Sequence, residues 1–417
     1  MKRIISTSLV LLLILGGISA AFAAEKPADN TASPSAVTSE AVAAADTATP
    51  AAVEGDTSTT PAVTVIPDMN FTGQEVKLSL EAAYKKMLAD SPGAKLAELN
   101  RQSADGVAKG YGESVQTLKQ MEKSGSWAYD SSNKEMAKAN REYATAQGPK
   151  NYEAEINDLK TNTLKNYYTL KELENQAKIA KDNLALKEKL LTNTQLKFKL
   201  GTVSKNDVLQ AEISVNEAKD QLLAAENGLK TMKMAFNQFM GYNLMQNVTL
   251  TDIIKEVPLS SKSLADSIKG ALASRNEISE AAYGLQVANL AFKNYTAYPK
   301  NSSKYIKAQM DVLKAETGYK NAPLTVESDV RNKYMEMNQK YAAVQTGKKT
   351  VENAKETERL AQLQYDAGMA TLSDVETAQL GYYNAQLTYS KTLLEYNLAV
   401  NDYELSSGVG TTPALIP

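Results

Sequence analysis

The sequence contains the stretch 198-FKLGTVSKNDVLQAEISVNEAKDQLLAAENGLKTMKMAFNQFMG-241 and, 167 residues later, a second copy, 365-YDAGMATLSDVETAQLGYYNAQLTYSKTLLEYNLAVNDYELSSG-408. In both copies, apolar and small residues recur at alternating steps of three and four from the Asp-Val pair to the end. This seam runs for more than four heptads. It predicts that each copy contains a long helix packed in coiled-coil fashion.

Each copy begins with a tight turn between two helices. Gly201 and Gly368 suit the left-handed backbone position that ends a helix. Ser204 with Asp207, and Thr371 with Asp374, match the capping box that starts the next helix. Each copy is therefore predicted to be a helical hairpin.

Long helices are also predicted before both turns, over residues 152–200 and 326–365, where apolar positions form further seams. At 1.5 Å per residue the first of these arms spans about 70 Å, so it needs neighbours along its whole length. The helix after Gly368 has a second apolar stripe on another face, including Leu380 and Leu387. A helix with two seams packs against two neighbours, as in a layer or closed ring of helices.

A shorter helical unit upstream is duplicated too, beginning near Leu80 and near Leu264. Its offset is 184 residues, so the first half is 17 residues longer, and the extra residues fall within 111–150, opposite 295–323. Apolar steps of three and four predict helix in both segments. Pro149 and Pro323, which end them, are expected at the beginning of the following long helices.

Composition excludes several classes of function. The chain has no histidine and no cysteine, so thiolate and imidazole metal sites, Ser-His-Asp triads and disulfides are ruled out. The acidic residues lie in helical runs beside lysines, a pattern typical of solvated helix faces. The formal charge of −2 argues against nucleic acid as a partner. The sequence therefore predicts no enzyme, catalytic residue, cofactor or metal site.

The first residues predict export from the cytoplasm. Lys2 and Arg3 precede an apolar run that ends at Ala23, typical of a secretory signal peptide over 1–23. Residues 24–70, rich in Ala, Thr, Ser, Pro and acidic residues, are predicted to be a disordered arm. The organisation that follows is a first helical repeat at 71–246, a connector at 247–262, a second repeat at 263–410 and a C-terminal tail at 411–417. The apolar run in the connector is compatible with a short strand or a short helix.

Twice the chain has the pattern aromatic-x-x-Gly-x-x-Ser/Thr-x-x-Asp-Val-x-x-Ala, followed by a long helix with regularly spaced alanines and a terminal glycine. With the signal peptide and the duplication, this pattern resembles the TolC-like outer membrane efflux proteins over roughly residues 76–410. The resemblance implies a mainly all-α fold and a homotrimer whose hairpins form an α-barrel of twelve helices. It places the protein in the cell envelope, across the periplasm and at the outer membrane.

The resemblance also implies a working site at the hairpin tips. There the family has the tube entrance, which meets a periplasmic adaptor protein attached to an inner-membrane pump. The matching positions here are Gly201, Thr202, Val203, Ser204 and Asp207 in the first tip and Gly368, Met369, Ala370, Thr371 and Asp374 in the second. The family also inserts two strands in each half, at 111–150 and 295–323, where this sequence predicts helix. The chain is therefore expected to have little or no β-barrel.

Two functions from different classes fit this sequence. The first is an export duct, which needs only a water-filled lumen and an entrance that opens. The second is a periplasmic coiled-coil protein with a structural or tethering role that conducts nothing. The tyrosines at 382, 389, 396 and 403 are interpreted as core residues whose hydroxyl groups bond at the edge of the seam.

Overall fold

The structure is a computed structural model that describes residues 70–417. Residues 1–69, which include the predicted signal peptide and nearly all of the predicted arm, lie outside the described residues. The elements in chain order are β1 (Thr72–Leu78), α1 (Leu80–Asp90), α2 (Pro92–Lys123), α3 (Ser131–Lys199), α4 (Lys205–Phe239), β2 (Gln246–Leu250), α5 (Leu264–Ser274), α6 (Asn276–Lys293), α7 (Ser303–Asp366) and α8 (Leu372–Ser406). The predicted all-α fold with duplicated long hairpins is confirmed.

Four long helices form the body of the described chain. They lie side by side in the order α4, α3, α8 and α7, so that each half contributes one hairpin. α3 and α7 have 69 and 64 residues, which at 1.5 Å per residue makes each about 100 Å long. α8 contacts both α7 and α3, as its two predicted seams require. α4 and α7 are therefore the two edges of this layer.

The second half has a core of aromatic and β-branched side chains between α7 and α8. Tyr396 and Tyr403 are fully buried there, and burying side chains of this size contributes roughly 1.5–3 kcal/mol each. Their hydroxyl groups donate to the backbone carbonyls of Val257 (2.9 Å) and Lys262 (3.2 Å) in the connector. The interpretation as core residues that bond at the seam edge is confirmed for Tyr396 and Tyr403, whereas Tyr382 and Tyr389 are only half-buried.

The connector and the start of the first half pair as strands. β1 and β2 run parallel, with Val76 opposite Val248 and Leu78 opposite Leu250. Of the two alternatives for the connector, a short strand or a short helix, the structure shows the strand, at Gln246–Leu250. β1 was not anticipated, because its seven residues alternate only weakly and its partner lies far away in the sequence.

The segments at 111–150 and 295–323 are helical apart from the turns at 124–130 and 294–302, and they contain no strand. They form two further hairpins, α2 with α3 and α6 with α7, which we call the distal hairpins. The expectation that Pro149 and Pro323 begin helices is wrong: both lie inside, 18 and 20 residues after the first residue of α3 and α7. α3 continues through Pro149 where it packs closely against α2, because a Cβ atom at Gly148 would lie only 3.0 Å from Ala104. α6 packs along α7 in the second half.

The C-terminal tail is bound between α3 and α6. The side chain of Asn151 donates to the Ala414 carbonyl (2.7 Å) and accepts from the Ala414 N–H (2.8 Å). Asn276 donates to the Thr412 carbonyl (2.8 Å), and Gln147 donates to both asparagines. This buried network joins the two halves at the base of the distal hairpins. No helix among residues 70–417 is both long enough and apolar enough to cross a bilayer.

Candidate functional site

The two predicted tips have the same backbone geometry. Gly201 and Gly368 have φ angles of 73° and 75°, in the left-handed region that glycine adopts without strain. At the first tip the N–H of Thr202 donates to the Lys197 carbonyl (3.0 Å), and at the second the N–H of Met369 donates to the Gln364 carbonyl (2.8 Å). These bonds close the ends of α3 and α7 as Schellman motifs.

Both predicted capping boxes are present. The Asp207 carboxylate accepts from the N–H (2.8 Å) and hydroxyl (2.9 Å) of Ser204, and the Asp374 carboxylate accepts from the same groups of Thr371 (2.8 and 2.7 Å). These bonds lower the pKa of Asp374 below its ordinary value; the Thr371 hydroxyl has the largest effect and the Thr371 N–H a smaller one. Each aspartate is therefore engaged in starting a helix, α4 or α8.

The tips present apolar side chains to solvent. Met369 is 76% exposed and Leu200, just before the first glycine, is 70% exposed. Phe198 is also exposed, while Val203 and Ala370 are half-buried at the base of their turns. Exposed apolar groups at the end of a long hairpin are typical of a surface that contacts another protein.

The structure brings the two tips into direct contact. The Lys197 ammonium group lies 3.5 Å from the centroid of the Tyr365 ring, donates to the Tyr365 carbonyl, and is 3.8 Å from the Asp366 carboxylate. The hydroxyl groups of Thr194 and Tyr365 are 3.0 Å apart. The end of α3 is thus tied to the end of α7.

A small apolar cluster supports this contact. Its buried members come from all four long helices: Leu190, Ala211, Tyr365, Leu372 and Val375. Val375 is fully buried and Tyr365 is almost fully buried. The cluster fixes the positions of the two turns relative to each other.

A polar cavity of about 210 Å³ lies next to this cluster, between α3, α4 and α8. The Ser214 hydroxyl of α4 donates to the Glu376 carboxylate of α8 across it. Lys187 also lines the cavity and is buried, which lowers the pKa of its ammonium group; the carboxylates of Glu376 and Glu217 partly offset that shift. The space between these three helices is therefore lined mainly by charged and polar side chains instead of the apolar side chains of a packed core.

The sequence did not identify the groups that connect the tips. Tyr365 opens the repeated motif, but neither Lys197 nor Asp366 was singled out. The signal available was limited to a lysine four residues before Gly201 and an acidic residue two before Gly368. Nothing in a single sequence says which face of α3 meets α7.

The second half of the chain matches a known protein family. Residues 272–409 match the model of the family described as Outer membrane efflux protein. The matched range contains α6, α7 and α8, and hence the second tip. No curated protein sequence matches the chain.

Several solved outer membrane channels share the fold. The outer membrane protein VceC from Vibrio cholerae has a TM-score of 0.61 and 14% sequence identity, covering 80% of this chain and 97% of VceC. The Campylobacter jejuni CmeC outer membrane channel has a TM-score of 0.61 and 13% identity, covering 80% of this chain and 86% of CmeC. The outer-membrane channel OprN gives the same score and identity, with 80% and 90% covered. The resemblance predicted from the duplicated motif is thereby confirmed.

Proposed function

We propose that this chain, whose second half carries an outer membrane efflux protein domain, is the duct of an envelope export system. Three copies would close into a tube of twelve long helices. Substrates would enter at the hairpin tips from an inner-membrane pump, and a periplasmic adaptor would contact the same tips. The proposed location is the periplasm and the outer membrane.

The single observation that carries this proposal is the layer of four helices with apolar side chains exposed on both edges. On the α4 edge Ile213 and Leu223 are exposed, and on the α7 edge Met335, Leu360 and Leu363. Packing α4 of one copy against α7 of the next would bury both edges and would generate a ring. The family resemblance supports three copies in this ring.

The contacts between the tips supply the means of gating. Lys197 with Tyr365, and Ser214 with Glu376, each join a helix of the first half to a helix of the second. Pulling the hairpins apart would exchange these bonds for bonds to water, at a net cost on the order of 1 kcal/mol each. That cost is small enough for an adaptor that binds the exposed tips to supply it.

Oligomeric state tests the ring. We expect the full chain to be trimeric by light scattering and Ile213→Glu to be monomeric, because the charge would be buried between copies. Leu380→Glu is the matched control, since Leu380 is equally exposed in one copy (51% against 50%) but lies on a middle helix. A monomeric parent chain, or equal effects of the two variants, would contradict the ring.

Reversible cross-linking tests conduction. The chain has no cysteine, so Ser214→Cys with Glu376→Cys introduces the only two thiols. A short reducible thiol cross-linker should stop export by living cells, and a reductant should restore it. The single-cysteine variants serve as controls. Export that continues through a fully cross-linked protein would favour the structural or tethering role.

A further inference from the structure

The ends of the two distal hairpins, opposite the tips discussed above, have a composition unlike the rest of the surface. The first end is the turn at 124–130 and contains Trp127, the only tryptophan of the chain, with 97% of its surface exposed. The second end is the turn at 294–302 and contains Tyr295 and Tyr298, whose ring centroids are 5.9 Å apart. An isolated tryptophan exposed to this degree has no role in packing the fold.

Positive charge is concentrated at the second of these ends. Residues 290–310 contain four lysines, Lys293, Lys300, Lys304 and Lys307, and no acidic residue. Residues 119–138 contain four lysines and three acidic residues. The two segments together thus have five more positive than negative side chains, in a chain whose formal charge is −2.

The second tip at the opposite end of the molecule differs in sign. Residues 362–376 contain Asp366, Asp374 and Glu376 and no lysine or arginine. Residues 195–209 of the first tip contain three lysines and one aspartate, so the two tips together have one more negative than positive side chain. Long helices separate the two ends, so the basic charge of the distal ends is a local feature and does not reflect the composition of the chain.

The two distal ends lie next to each other. The rings of Tyr143 on α3 and Tyr283 on α6 are stacked with centroids 3.9 Å apart, and the Tyr283 hydroxyl donates to Asn140 (2.8 Å). From this level α3 extends back by 12 residues to its start and α6 extends forward by 10 to its end, which is about 15–18 Å in each case. Trp127, the tyrosine pair and the lysines therefore share one end of the molecule.

We propose that this end is a docking face for an anionic phospholipid surface. Tryptophan and tyrosine favour the boundary between lipid headgroups and acyl chains, because one part of each ring system is apolar and another can hydrogen-bond. Lysines beside them attract anionic headgroups, each contributing a several-fold gain in partitioning. Lys304 lies 5.2 Å from the Tyr298 ring, so the basic and aromatic groups occupy one surface.

This inference goes beyond the duct function, because lipid binding requires neither a pump nor conduction. The duct proposal and the lipid-binding proposal can be refuted separately, because export is tested by cross-linking in cells and lipid binding by vesicles with purified protein.

Trp127 is its own probe for the test. Vesicles of phosphatidylcholine with phosphatidylglycerol should shift the tryptophan emission of the full chain to shorter wavelength and carry the protein upward in a flotation gradient. Vesicles of phosphatidylcholine alone should give a smaller emission shift and less flotation. Added salt should weaken binding to the anionic vesicles.

Matched charge variants locate the face. Lys300→Gln, Lys304→Gln and Lys307→Gln together should weaken partitioning to anionic vesicles on the order of 100-fold. The control, Lys199→Gln, Lys205→Gln and Lys219→Gln, removes the same charge from exposed positions on the α3 and α4 hairpin and should bind like the parent. Trp127→Ser should reduce flotation while leaving the circular dichroism spectrum unchanged.

Three results with vesicles would overturn the proposal. They are unchanged Trp127 emission with anionic vesicles, equal loss of binding in the two triple variants, and equal binding to neutral and anionic vesicles. Retention on isolated cell wall that anionic vesicles do not compete away would also overturn it, and would assign the distal ends to a polymer instead of a lipid surface.

Discussion

The ammonium group of Lys197 lies over the ring of Tyr365, 3.5 Å from its centroid. The two residues belong to different halves of the chain and lie near the ends of their helices, where Tyr365 is the counterpart of Phe198, the residue after Lys197. Their contact makes the first and second tips a single structural unit, and its strength determines how easily the tips separate.

Lys197→Met should loosen both tips. The substitution removes a cation–π contact and a hydrogen bond to the Tyr365 carbonyl, together about 1–2 kcal/mol for a half-buried lysine. Amide hydrogen exchange should accelerate by roughly tenfold at the end of α3 and also at the end of α7. Lys199→Met, which changes an exposed lysine on the same turn, should alter neither. Faster exchange at the first tip alone would show that the halves are not coupled through Lys197.

Gly201→Ala and Gly368→Ala should each destabilise a tip. An alanine with positive φ costs about 1–2 kcal/mol, although no neighbouring atom lies within 4 Å of the added Cβ at either site. Gly228→Ala is the matched control: it is equally free of neighbours but lies in the middle of α4, where alanine should gain about 1 kcal/mol. Chemical denaturation of the three variants measures the difference. Equal effects at positions 201 and 228 would mean that the φ angle does not limit the turn.

Lys187→Met should stabilise the protein near neutral pH. Burial lowers the pKa of the folded lysine below that of the unfolded chain, so the unfolded state binds more protons between these two values and stability rises with pH there. The advantage of Met should therefore be largest below that window and shrink as the pH rises towards 10.5. Denaturation at pH 7 and pH 10 tests the sign. An advantage that grows with pH would contradict burial as the cause.

Asn151→Ala should release the C-terminal tail. It removes two hydrogen bonds to Ala414 and leaves the buried N–H of that residue without its acceptor, at a cost of about 2–4 kcal/mol. Limited proteolysis from the C-terminus should become faster. Asn157→Ala, which removes one bond of 3.1 Å to the Gly410 carbonyl, should cost about 1 kcal/mol. A tail that stays protected in Asn151→Ala would show that the bonds from Asn157 and Asn276 and the burial of Val409 and Ala414 are sufficient to hold it.

The parts of the fold that sequence predicted are those with local rules. Heptad spacing indicated the long helices, and the glycine with its capping box located both turns. The interior position of Pro149 and Pro323 could not be predicted in this way. A proline favours a helix start by local conformation, but the packing of α2 along α3 and of α6 along α7 outweighs the roughly 3 kcal/mol that an interior proline costs.

In the candidate site, too, the features set by local sequence were predictable and the long-range contacts were not. All ten tip residues lie in the two turns and their caps, as the motif predicts, because their geometry depends on neighbours in sequence. The contacts of Lys197 with Tyr365 and of Ser214 with Glu376 span more than 160 residues. They depend on the rotation of each long helix about its axis, which a single sequence does not specify.

The parallel pairing of β1 with β2 has a consequence for the order of assembly. Thr72 and Gln246 are partners, so the strand pair encloses the whole first repeat and is complete at Leu250, before α5 begins at Leu264. A chain that emerges from its amino terminus can therefore close its first repeat into a finished unit while the second is still being delivered. The exposed face of α3 then offers α8 a surface that is already in place. In that order of folding, the late half would dock onto an early half that is already folded, and the long helices of the first repeat would be paired before they could meet another copy.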